Sequence, residues 1–139
     1  MHPINERRDN VRFDPYYFEK QAELIAENQK RYGSQSHHFR TLKLTSEPLP
    51  PADLLLCRDC FVHFSIADIC SAVDNIKDSR IAYLLTTTFP NCQENEDITT
   101  GDWRLLNLEK PPFNFPTPLR LINPGFLTTL AVTIPISQA

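Results

Sequence analysis

Hydrophobic and polar positions in this chain follow two different periods, and the change between them marks its elements. Asp14-Pro15 supplies a capping carboxylate followed by proline at a first helical position. Phe18, Ala22, Ile25 and Tyr32 then recur at helical spacing, with Glu23, Glu27, Lys30 and Arg31 on other faces, which predicts a helix ending at Gly33. Phe39 to Thr45 alternates as a short strand does, and Pro48, Pro50 and Pro51 stiffen the connection that follows.

The period then shortens. Leu54-Leu55-Leu56-Cys57 is a continuous apolar run of the kind buried on both faces in a parallel sheet. Ser65 with Asp68 three residues on resembles a capping box, and Ile66, Ile69, Cys70, Val73 and Ile76 form the apolar stripe of a helix that stops near Lys77-Asp78-Ser79. Ile81 to Phe89 is β-branched and apolar enough to be a second core strand. Strand, helix and strand at this spacing predict a right-handed parallel crossover from Leu54 to Phe89. Long polar and proline-rich loops from Asn91 to Pro118 leave the carboxyl end of that second strand, where open α/β sheets place their ligands. Leu119 to Ile122 and Phe126 to Ile136 are the remaining strand candidates, and no internal repeat is present.

Composition narrows the class. The chain has 139 residues, 41% hydrophobic and 22% charged, which predicts one globular domain: a flexible segment over 1–14 and a single partial domain over 15–139. The formal net charge of -3, with Arg7-Arg8 the one basic cluster, argues against a nucleic-acid partner. No apolar run has the length of a membrane span, and Met1 to Arg8 has no apolar core, so a cytoplasmic protein with no membrane partner is expected.

In that setting Cys57, Cys60, Cys70 and Cys92 read as reduced thiols. Cys57-Arg58-Asp59-Cys60 spells C-x-x-C with His63 close behind. A zinc site would need two further ligands, and Cys70 and Cys92 lack paired spacing. No Gly-Pro type turn separates the pair as in a thioredoxin-like motif, so structural cysteines are the preferred reading over metal or redox chemistry.

Three blocks carry a more specific signal: Leu49 to His63, Tyr83 to Pro90 and Gly101 to Phe113. In this order they resemble a subgroup of S-adenosylmethionine-dependent methyltransferases of the Rossmann-like class, with similarity running from Ala22 to Ile122. The resemblance implies an α/β protein with an incomplete Rossmann-like methyltransferase fold, a mostly parallel sheet flanked by helices, S-adenosylmethionine as cofactor and a methyl acceptor that it leaves unknown. Family members approach the cofactor's methionine part with a glycine-rich turn, and this chain, whose glycines are Gly33, Gly101 and Gly125, has none. Alignment places Glu19 where an acidic residue at a strand end bonds the ribose, in conflict with the helix predicted from Asp14. Lys43 falls where an Asp usually meets adenine, beside Leu44 in the same cofactor-facing segment.

The fourth family strand does match, with Cys57 and Arg58 on the cofactor side, and with Asp59 and His63 as candidates to orient or deprotonate the acceptor. A structural ion pair for Arg58 and Asp59 and a turn-capping role for His63 stand beside that reading. Asp97 and Arg104 are further substrate candidates, and Trp103 is expected to pack on Phe113 or Phe115. The family closes its sheet with a hairpin whose last strand carries Leu and Trp, whereas this chain has Asn123 to Ala139 there. The chain thus reads as a truncated methyltransferase-like protein, either active with help from elsewhere or a non-catalytic remnant or binding module. A sheet without its first strand would expose an edge for self-association.

Overall fold

A computed structural model describes residues 15–123 and 129–133, with side chains from residue 21 onward. The expected flexible segment over 1–14 lies outside the described residues, as do the side chain of Phe18 and most of the proposed strand from Phe126 to Ile136 apart from its middle. The chain divides into two compact units between Lys43 and Leu44.

The first unit is built on helix α1, Pro15–Tyr32. Gln21, Ile25 and Asn28 lie half-buried at four- and three-residue steps, and no described side chain from residue 21 to 43 is fully buried. Exposed Arg31 pairs with Glu27 one turn earlier at 2.5 Å. Gly33 ends the helix because its backbone closes on Gln29: the Gly33 N–H donates to the Gln29 carbonyl at 3.0 Å, and a Cβ there would collide with that oxygen. The chain then folds back, with the Phe39 N–H donating to Gln29 Oε1 at 2.8 Å and the Phe39 ring against Tyr32. The strand expected over Phe39 to Thr45 does not form. Its alternation is right, but no neighbouring strand pairs with it among the described residues, and the segment from Leu44 to Ser46 turns.

The second unit holds the sheet. Strand β1 (Leu54–Cys57) leads through a turn and a single 3-10 turn, Phe61–His63, into α2 (Ile66–Ser79), and the chain returns as β2 (Tyr83–Thr88). Strands β3 (Arg120–Ile122) and β4 (Thr129–Thr133) complete it in the order β1-β2-β4-β3. The crossover is present: β1 and β2 pair in parallel from Leu54 opposite Tyr83 to Cys57 opposite Thr86. The expected mostly parallel sheet is not, because β4 runs antiparallel to both β2 and β3. The described sheet is therefore small and mixed, and the fold is α/β.

α2 forms where its pattern places it. The Ser65 hydroxyl accepts from the Asp68 N–H at 3.1 Å, and Arg80 ends the helix in a left-handed conformation at φ 61°. Its apolar stripe, Ile69, Ala72, Val73 and Ile76, packs with Cys57, Phe61, Val62, Leu84, Leu106 and Leu108 into one core. Alternation along the strands puts Leu55, Cys57, Leu84 and Thr86 on the side that joins this core. The opposite side carries Leu54 and Leu56, which are 47% and 58% exposed, and Tyr83. The Leu54 to Cys57 run is thus an edge strand with one buried side, which corrects the expectation of burial on both faces.

The long connection from Phe89 to Pro118 is laced to itself by amides. Buried Asn107 donates through Nδ2 to the carbonyls of Pro90 and Cys92, and its N–H donates to Asn95 Oδ1 at 2.8 Å. Asn95 Nδ2 returns to the carbonyls of Asn107 and Pro111 at 2.8 and 2.9 Å. Such closed amide pairs satisfy the polar groups that a loop otherwise leaves to water.

Candidate functional site

Parallel pairing sets the carboxyl ends of β1 and β2 side by side, and the chain leaves β1 there through Arg58 and Asp59. Asp59 adopts φ 50°, a left-handed conformation that an Asp tolerates better than most side chains. What holds it is Thr87 on β2. The Asp59 N–H donates to Thr87 Oγ1 at 2.7 Å, and that hydroxyl donates back to Asp59 Oδ1 at 3.2 Å. The carboxylate is fixed on one oxygen while Oδ2 faces Arg58 Nε at 3.5 Å. About half of each side chain in this ion pair is exposed, so it contributes little to stability and leaves both charged ends accessible.

His63 closes the 3-10 turn. Its Nδ1 lies 2.8 Å from the Asp102 carbonyl oxygen, an acceptor only, so Nδ1 donates this bond and Nε2 is the ring nitrogen left for another partner. The His63 carbonyl accepts from the Gly101 N–H at 2.8 Å, which ties the turn to the loop at both ends of the residue. Trp103 is exposed and meets Phe89 edge-on at 6.0 Å between centroids, in place of the expected Phe113 or Phe115.

Cys57 and Cys60 stand at the two ends of the turn through Arg58 and Asp59. Interaction with the Cys60 thiol, together with burial, pushes the Cys57 thiol far up, and the same interaction pulls Cys60 down against the cost of its own burial. Among the described residues, no group of three His, Cys, Asp or Glu is arranged to hold a metal ion.

The structure brings together only part of the residue set read from sequence. Cys57, Arg58 and Asp59 share the carboxyl edge of β1, and His63 follows at the end of the 3-10 turn, tied to the Asp102 carbonyl. Glu19 lies inside α1, where local pattern placed it, and Leu44 begins a turn and does not end a strand. Arg104 and Asp97 have structural work. Arg104 is 6% exposed and donates to the carbonyls of Phe61, Phe64 and Glu96, while burial lowers its pKa. Asp97 Oδ1 accepts from the Ile66 N–H at 2.8 Å at the start of α2.

Thr87 and the Asp102 carbonyl are the functional contacts that sequence reasoning misses. Thr87 sits in a run of three threonines, so only the strand register distinguishes the one that reaches Asp59. A backbone carbonyl carries no sequence signal at all. Comparison with protein-family models, with curated proteins and with solved structures finds no match to this chain.

Proposed function

We propose that the unit from Leu44 onward is the acceptor-side half of an S-adenosylmethionine-dependent methyltransferase-like domain. The observation that carries this reading is the Asp59 turn at the carboxyl end of two parallel strands, clamped by Thr87 and paired with Arg58. Arg58 would hold an anionic group of the acceptor, and His63 Nε2 or the free oxygen of Asp59 would take its proton. An antiparallel strand pair closing the sheet beside β2 supports the same reading, since the resembled family ends its sheet with a hairpin.

The described residues do not make a cradle for the whole cofactor. Glu19 is helical, Leu44 is in a turn, and no glycine-rich turn follows a strand, so methyl transfer by these residues alone is not part of the proposal. The missing glycines favour a second reading, a non-catalytic binding module of the same fold. Titration calorimetry of the chain with S-adenosylmethionine separates the two. Micromolar binding supports the methyltransferase reading, and no heat up to millimolar cofactor leaves the binding module. The acceptor is unknown, and the net charge of -3 disfavours nucleic acid. No described helix is long and apolar enough to cross a membrane. Self-association belongs to the proposal as well, because β1 is an edge strand with exposed Leu54 and Leu56. Size-exclusion chromatography giving a concentration-independent monomer would count against it.

A further inference from the structure

Two thiols at the end of β1 have a geometry that packing alone does not require. Cys57 is 6% exposed and belongs to the core, whereas Cys60 is half-buried and packs against the same core from the far side of a two-residue turn. They stand immediately before and after that turn, and both are free thiols. Neither Cys70, exposed on α2, nor Cys92, whose Sγ donates to the Glu94 carbonyl at 3.1 Å, has such a partner among the described cysteines. We propose that Cys57 and Cys60 form a reversible disulfide by exchange with a low-molecular-weight disulfide, with Cys60 as the attacking thiol.

The roles follow from position. Cys60 is the more exposed of the two and its pKa is lowered beside Cys57, which favours its thiolate, while buried Cys57 keeps its proton. The Cys60 thiolate attacks one sulfur of RS–SR, forming Cys60–S–SR and releasing RS⁻. Cys57 then loses its proton to the released thiolate, attacks Cys60 Sγ and expels the second RS⁻. Two protein thiols are oxidised, and one external disulfide is reduced to two RSH. The ring so closed contains Arg58 and Asp59, so oxidation tethers both ends of the turn that presents them.

Trypsin provides a direct readout, because it cuts after Arg58, between the two cysteines. The full chain carrying Cys70→Ser and Cys92→Ser is equilibrated in a reduced and oxidised glutathione buffer, quenched with iodoacetamide and digested without reductant. The expected result is that peptides Leu44–Arg58 and Asp59–Lys77 emerge joined, and separate on reduction. Cys57→Ser should leave Cys60 as a glutathione mixed disulfide, and Cys60→Ser should leave Cys57 unmodified until urea unfolds the chain. The pH midpoint of Cys60 alkylation is expected below the about 8.5 of a free thiol. Separate peptides from the folded chain, or linkage that appears only in urea, would overturn the proposal. An alkylation midpoint at or above that of a free thiol would overturn the assignment of Cys60 as the attacking residue.

Discussion

Helices α1 and α2 are both legible as amphipathic segments, yet they end in different surroundings. α2 buries Ile69, Ala72, Val73 and Ile76 in a core shared with β1 and β2, while α1 has no fully buried side chain among those described. Both have a capping residue or proline at the start and a left-handed or glycine residue at the end. The difference lies in what faces the stripe. A crossover between two parallel strands must carry its helix back over the sheet, so α2 is given a partner by its own connections. α1 has no such constraint, and its pattern says where an apolar stripe is without saying what covers it.

That contrast can be broken most directly at its two ends. Ile76→Ala, at a fully buried position, should cost about 2–5 kcal/mol in urea unfolding, whereas Leu24→Ala on exposed α1 should stay within about 0.5 kcal/mol. Equal losses would mean that α1 is as deeply packed as α2. A smaller effect is expected where the loop holds the 3-10 turn that precedes α2. Arg104→Met leaves the carbonyls of Phe61, Phe64 and Glu96 without their donor and should cost about 1–3 kcal/mol, with Arg104→Lys failing to restore the forked geometry.

The site side of the contrast is weaker in energy and sharper in function. Thr87→Val removes the hydroxyl that holds both the N–H and the carboxylate of Asp59, and should cost about 1 kcal/mol by thermal denaturation. Asp59→Gly keeps the left-handed turn while deleting the carboxylate, so stability should change by less than about 1 kcal/mol while any ligand affinity that depends on this turn falls. Arg58→Ala should be nearly silent in stability, within about 0.5 kcal/mol, because its ion pair is half exposed. A larger loss would show that the pair is structural and would weaken its candidacy as an acceptor-binding group.

The same division runs through the site. Cys57, Arg58, Asp59 and His63 were readable because they follow a strong strand signal by only a few residues, and local connectivity alone keeps them at its end. Glu19 and Leu44 were placed by alignment to strands that this chain does not form, and there the helical period of α1 gave the correct local answer. Arg104 and Asp97 looked like substrate ligands because charged residues in long loops often are. Their actual targets are backbone carbonyls and a helix N–H, groups that every sequence contains and none advertises.

By itself the sequence determined what depends on neighbours along the chain: α1, α2, the β1–α2–β2 crossover, the Ser65 cap and the placement of Cys57, Arg58 and Asp59 at a strand end. Only the tertiary structure decided the antiparallel entry of β4 beside β2, the exposed side of β1, the threonine that clamps Asp59 and the burial of Cys57 in the core. These depend on register and on which segments meet. Periodicity records which face of a segment avoids water, but the identity of the partner on that face is fixed only when distant segments close on one another.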